Sequence, residues 1–338
     1  MVRKSLIAAA LILIAAPLAA QEDIVWTSKR PDGHAPLGVV ADRTLEAGEY
    51  QFTYRYSQIK SRGVWFDNDS LTLEETFDFY PQAPLSLDNI SHIFGVAWGM
   101  SDDFTLNARW SYSQRERRQL TQDGVFYVVN ADGIGDAEVS GLYRFYDEGA
   151  YRAHVEAGFL LPTGDVDVQA ETPFSTPDKE PLPYDMRPGA GTFAFIPGLT
   201  ASAQNEAGSV GAQIRGWLFW GTNDVGYTPG DRLNMTTWGA YRVNDFFSVS
   251  ARMEYQKWQG LDGADADLDP LFDPGNDAFF LKGSTLTIPV GVNFYLPEGT
   301  RFAGNRLAVE AIYPVYQSYE GPQLGLDWGL LIGWQVAF

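Results

Sequence analysis

The sequence predicts an all-β fold: a closed, antiparallel transmembrane β-barrel of about twelve strands, with short periplasmic turns and long extracellular loops. Three observations lead to it. Apolar residues recur at every second position along about a dozen segments, the period of a strand with two unlike faces. The connections between segments alternate between short and long. The apolar-parity positions carry no charge, although 20% of the chain is charged.

The N-terminus explains how such a chain reaches a membrane. MVRK is basic, and LIAAALILIAAPL (residues 6–18) is apolar but too short to span a bilayer as a helix. Leu18-Ala19-Ala20 then supplies small residues before Gln21. Residues 1–20 are therefore expected to be a secretory signal peptide, with a short anchor helix as the alternative. Residues 21–46 have no clear pattern and are expected to form a periplasmic lead-in, or else a plug, ahead of a barrel over 47–338. No other long apolar run exists, which excludes a helical membrane protein.

Composition narrows the function classes. The chain has no cysteine, hence no disulfide, thiolate ligand or thiol nucleophile. A formal net charge of -19 argues against nucleic acid as a partner. The 17 Tyr and 10 Trp suit a surface where lipid meets water, so outer-membrane lipids are the expected surroundings.

The alternating segments begin near residues 48, 88, 103, 136, 151, 192, 209, 232, 246, 284, 306 and 325. Tyr50, Phe52, Tyr54 and Tyr56 alternate with Gln51, Thr53, Arg55 and Ser57. Phe104, Leu106, Ala108 and Trp110 alternate with Thr105, Asn107, Arg109 and Ser111. Short turns fall at Ser101-Asp102-Asp103, Asp147-Glu148-Gly149, Asn205 to Gly208 and Val243-Asn244-Asp245, with a longer one from Pro297 to Asn305. Long loops are expected over 61–86, 116–134, 162–190, 221–231, 256–280 and 317–323. An even strand count puts both termini on the side of the short turns. Pro197, Pro289 and Pro314 fall inside proposed strands and are expected at bulges or strand ends. Residues 71–80, LTLEETFDFY, are expected as an extra hairpin above the membrane.

The closing stretch LDWGLLIGWQVAF places Leu326, Trp328, Leu330, Ile332, Trp334, Val336 and Phe338 on one face. An open edge in lipid would leave backbone groups unpaired, so this strand must close against the first. A terminal aromatic on such a strand also resembles the sorting signal that the barrel-assembly machinery recognises. That machinery is thus an expected partner through Phe338.

Parity then assigns the lumen. Arg55, Arg109, Glu138, Arg144, Arg152, His154, Glu156, Arg215, Arg252, Glu254 and Glu310 all point inward. They form either a selectivity surface for polar or anionic parts of a solute, or an ion-pair lattice that fills a narrow barrel. A second candidate is LDGADADLDPLFDPGND, residues 261–277, where Asp262, Asp265, Asp267, Asp269, Asp273 and Asp277 offer oxygen ligands for a hard cation. The spacing lacks the Glu and Gly placement of an EF-hand loop, so a solvated acidic loop is the favoured account and no metal is expected. No cofactor motif appears. A lipid-modifying site would need His and Ser together on the lipid face. His92 has that parity, but Ser111 and Ser113 face inward, so no catalytic residue is expected.

Residues 131–165, ADGIGDAEVSGLYRFYDEGAYRAHVEAGFLLPTGD, carry a resemblance. Gly133-Ile134-Gly135-Asp136, Gly141-Leu142-Tyr143-Arg144 and Leu161-Pro162-Thr163-Gly164 resemble the outer-membrane transporters named for the meta-cleavage pathway of phenol degradation. More loosely, LPEGTRFAGN and the C-terminal strand do as well. The resemblance implies uptake of aromatic or other small hydrophobic solutes and carries no functional residues across. From the residues themselves, Asp136 is expected at the lumen mouth, and Pro162-Thr163-Gly164 ends a strand and starts an outer loop.

The leading expectation is a non-enzymatic outer-membrane channel for passive uptake of a small-molecule solute. The alternatives are a structural or adhesive barrel with a blocked lumen, and a lipid-modifying enzyme.

Overall fold

The computed structural model describes residues 24–338; the proposed signal peptide and the first residues after it lie outside that range. The chain forms twelve barrel strands. These are β1 (Tyr50–Asp67), β2 (Gln82–Gly99), β3 (Phe104–Thr121), β4 (Phe126–Ile134 with Ala137–Glu148), β5 (Tyr151–Leu161) and β6 (Phe193–Gln204). Then follow β7 (Gly208–Trp220), β8 (Arg232–Arg242), β9 (Phe247–Trp258) and β10 (Gly283–Thr287 with Val290–Tyr295). The eleventh, β11 (Asn305–Ile312), continues past Tyr313 into the run Pro314–Ala337. That run reverses between Tyr319, opposite Gly283, and Gln323, opposite Trp65, and returns as β12.

Every neighbouring pair is antiparallel, and β12 pairs back onto β1 from Gln51 opposite Ala337 onward. Tyr50 and Phe338 complete the seam with two reciprocal backbone hydrogen bonds at 2.9 and 3.0 Å. The sheet is therefore a closed twelve-stranded barrel, the state in which no margin is left unpaired. Among the described residues no helix is long and apolar enough to cross a membrane.

The ring is inside-out relative to a soluble domain. Phe52, Phe94, Val155, Leu199, Ile214, Met235, Val249, Leu307, Val309 and Ile332 point outward and lie half-exposed. The alternate positions, such as Thr105, Ser140, Gln213, Thr236, Ser250 and Gln335, are buried. An apolar outer belt around a polar interior is what hydrocarbon outside and water-loving groups within select. Residues 24 and 338 and the short turns share one end of the ring, and the longer loops crown the other.

Three proposed loops turn out to be strand in whole or in part. Residues 116–134 make a tall hairpin, β3 to Thr121 and β4 from Phe126, closed by a tight turn with Gly124 at φ +86°. Residues 61–86 are shortened at both ends, because β1 runs to Asp67 and β2 begins at Gln82. Residues 317–323 belong to the β11–β12 hairpin. The strands continue above the hydrocarbon, where both faces meet water and the apolar alternation no longer marks them. Residues 71–80 are also not a hairpin. Asp69–Leu71 pairs with β1, and Leu73–Phe77 forms a short helix, α1. Thr72 caps it, with Glu75 reaching back to the Thr72 amide at 2.8 Å.

The prolines sit where the ladder tolerates them. The missing amide of Pro197 faces β7, where the pairing lapses between Phe195 opposite Leu218 and Gly198 opposite Arg215. Pro289 separates the two halves of β10, and Pro314 follows the break at Tyr313 in β11.

Residues 24–46 run inside the ring. Leu37, Val39 and Leu45 are buried there, and Leu37 packs with Ala308, Ile312 and Leu331 of the wall. The segment has no strand or helix of its own because its backbone is held by the wall's side chains. Arg306 donates to the Ala35 carbonyl, Gln213 to Val40, and Arg55 to Val39. In this way irregular backbone at membrane depth keeps its polar groups satisfied.

Candidate solute path

The inward residues assemble into two ion-pair clusters. In the first, Arg215 grips Glu156 with both Nε and Nη2, at 2.7 and 2.8 Å, and also donates to Glu138 at 2.5 Å. Arg109 donates to the other Glu138 oxygen at 2.6 Å. In the second, Arg252 pairs with Glu254 at 2.8 Å and with Glu310. All but Arg109 are buried. Sequence parity placed these seven side chains on one face, and the structure brings them together in two groups. Buried charges of this kind persist only when paired and hydrogen-bonded.

The other proposed lumen residues do different work. Arg55 and His154 bind the threaded segment, His154 Nε2 lying 2.9 Å from the Ala41 carbonyl. Arg144 and Arg152 both pair with Asp147 at the turn end of the ring. Three of the six aspartates of 261–277 are structural: Asp265 pairs with Arg187 at 2.6 Å, Asp273 with Arg117 at 2.7 Å, and Asp277 caps the next turn, while Asp262, Asp267 and Asp269 are exposed. Among the described residues no group of three or more acidic, His or Cys side chains is placed to hold a metal ion. His92 bonds to Tyr54 on the outer face at 2.8 Å, while Ser91 and Ser113 bond to each other inside. Among the described residues no Ser–His pair forms.

Above the first cluster the ring opens into a cavity of about 630 Å³. Trp217, Phe219 and Trp258 supply aromatic walls from the strands, and Tyr184 and Tyr227 from the inserted loops. The two tyrosines meet edge to face, with ring centroids 5.0 Å apart. Burial raises both hydroxyls above the usual tyrosine range, so they face the space as neutral groups. Burial also raises the Asp185 carboxyl, against the pull of Arg117.

The glycine-rich hairpin builds this cavity's floor and rim. Asp136 accepts the amides of Gly164 at 2.9 Å and Ala190 at 2.6 Å, so it pins the loop 162–192 into the mouth. A Cβ on Gly164 would stand 2.8 Å from the Gly189 Cα, a backbone approach that only glycine allows. Asp136 indeed lines the cavity, as its place at the lumen mouth implied.

Two further openings define where a solute can go. Beneath the cavity, beside residues 40–45, the free space falls to about 70 Å³, room for a few waters. On the outside of the wall lies a notch of about 560 Å³, lined by Pro197, Leu199, Ile214, Gly216, Leu218 and Leu233. Arg232, Leu233 and Lys257 line both the notch and the inner cavity. The β7–β8 pairing stops at Trp217 opposite Arg232.

The fold is that of outer-membrane channels. A crystal structure of an outer-membrane channel from Pseudomonas putida F1 superimposes with a TM-score of 0.60 at 12% identity, covering 89% of this chain and all of that one. The CymD monoaromatic hydrocarbon channel gives 0.41 at 10% identity over 94% and 98% of the two chains. A FadL homologue from Pseudomonas aeruginosa gives 0.40 at 10% identity over 87% and 90%. No protein-family model and no curated protein matches the sequence.

Sequence reasoning missed Arg115, Arg187, Arg232, Tyr184 and Tyr227. Four of them lie in stretches read as solvated loops or at a strand's faded outer end. Arg232 had a legible signal: it shares inward parity with Asn234 and Thr236.

Proposed function

We propose that this chain is an outer-membrane channel for passive uptake of small hydrophobic or aromatic solutes, admitted at the loop end and released sideways through the wall. The observation that carries the reading is that the aromatic cavity and the outer notch lie back to back, with only Arg232, Leu233 and Lys257 lining both. The straight route down the lumen is filled by ion pairs and by residues 24–46, so an apolar solute meets least resistance at the notch. The resemblance of the glycine-rich hairpin to transporters of the phenol meta-pathway supports the same solute class, and so does its role in forming the cavity. Export through a cleaved signal peptide and assembly through the C-terminal strand complete the proposal.

Gly216 faces the notch, and a Cβ there would sit 3.5 Å from the Pro197 ring, so a larger side chain is accommodated on the outside and fills the space. In liposomes, Gly216→Trp should slow passage of phenol at least several-fold and leave the small ion conductance unchanged. Equal phenol flux in both proteins would defeat the lateral route. The filled lumen favours one competing reading, a barrel that conducts nothing. Folded protein that passes neither ions nor any of a panel of phenols, sugars and organic acids would establish it.

A further inference from the structure

We infer that the cavity is a binding site for an aromatic carboxylate, whose charged head is held by Arg232 and whose ring lies among Trp217, Phe219 and Trp258. This deepens the channel reading and rests on it only for how the ligand arrives and leaves.

The argument begins with charge left over. The other inward arginines around the cavity and its floor have acceptors: Arg215 two glutamates, Arg252 two more, Arg117 and Arg187 aspartates, and Arg115 two backbone carbonyls. Arg232 has none. It forms no hydrogen bond and no ion pair among the described residues, and it is exposed to the cavity. Its guanidinium carbon lies 5.7 Å from the Phe219 ring centroid, and Asp136 attracts it across the cavity without forming an ion pair. Lys257 is equally free of bonds, one residue along on the neighbouring strand: Arg232 stands opposite Trp258, and Leu233 opposite Lys257. Arg232 thus presents an uncommitted cation on the cavity face of the wall, and Lys257 presents one on the notch face.

The surrounding charges do not cancel them. Five cationic side chains and three carboxylates line the cavity. The carboxylates are already engaged, Glu138 by two arginines, Asp136 by two backbone amides and Asp185 by Arg117. Distant acids account for the net charge of -19, but they are screened over about 8 Å at physiological ionic strength, so the local cations decide. A guanidinium fork with open donors suits a planar carboxylate, which it can bind through two parallel hydrogen bonds. The rings beside it offer stacking faces for an aromatic body. A neutral ring would use the walls and leave the cations idle. An aromatic ammonium would meet like charge.

The test is binding to the purified, detergent-folded chain, read by tryptophan fluorescence and calorimetry, with benzoate and its neutral counterpart benzyl alcohol. Benzoate should bind at least tenfold more tightly than benzyl alcohol. Arg232→Gln should abolish that preference and leave benzyl alcohol binding unchanged, and Arg232→Lys should restore part of it. Arg232 makes no bond that folding needs, and a matching thermal transition for each variant checks this. Equal affinity for the two probes, or a benzoate preference that survives Arg232→Gln, overturns the inference. Liposome flux separates it from the channel reading. Benzoate binding without passage of either probe would defeat the channel and leave the site, whereas passage of benzyl alcohol without a benzoate preference would do the reverse.

Discussion

The Glu310 carboxylate accepts the Gly38 amide at 2.8 Å, so a wall side chain sets the height of the segment threaded through the ring. Its other oxygen accepts from Arg252, which lies against Gly38 so closely that a Cβ there would stand 2.1 Å from Nη2. We predict that Gly38→Val pushes Arg252 off its glutamates and loosens the segment. Single-channel recordings should show larger and noisier ion steps. Removal of residues 24–45 should enlarge the steps several-fold, and identical conductance in the truncated protein would show that the segment does not limit the lumen.

Among the described residues Arg215 is the sole bridge between Glu138 and Glu156. Arg215→Met leaves Glu156 without a cation, and Glu138 with Arg109 alone. Breaking a buried pair by removing one partner costs about 3–5 kcal/mol. The shift should appear in the thermal transition of the detergent-folded barrel. Arg215→Lys should recover part of it, because an ammonium keeps the charge and loses the two-pronged grip on Glu156. A transition unmoved by either change would mean that the lattice adds no stability.

Val309 lies on the outer belt, half-exposed and midway along β11. Val309→Arg should lower the unfolding free energy in lipid by about 2–4 kcal/mol. The same replacement at Glu298, in the turn end, should change it little. Equilibrium unfolding in lipid vesicles measures both, and comparable costs would place the belt wrongly.

Phe338 stacks on Tyr50 and Phe52, with ring centroids 6.2 and 5.9 Å away, as its backbone closes the seam. Deletion of Phe338 should lower the yield of folded, heat-modifiable protein in the outer membrane and leave the refolded protein in detergent nearly as stable. A normal cellular yield would remove the residue from any role in assembly.

How much of this was legible follows from where hydrocarbon ends. Within the belt, period-2 alternation is enforced on every strand, and parity alone placed His154, Glu156, Arg215 and Arg252 inward. Above the belt, Glu116 and Arg118 face out while Arg115 and Arg117 face in, so both sides of β3 are charged and the strand reads as loop. Asp273 and Arg117 could not be paired from sequence, since 156 residues separate them and the aspartate sits in a segment with no period. The threaded segment was unreadable for a related reason. Its conformation is written in wall residues such as Gln213 and Arg306, not in its own. The glycine-rich hairpin was recognisable, but its work in pinning a loop through Asp136 emerges only when Gly164 and Gly189 touch.

The seam between Tyr50 and Phe338 makes every strand of the ring depend on the last one, since without it the first has no second neighbour. Residues 24–46 directly precede that first strand, yet their fastenings, Gln213, Arg306 and Glu310, come from much later in the chain. Stopper and hoop are thus made fast by the same late strands, and a chain cut short before them would lose both at once.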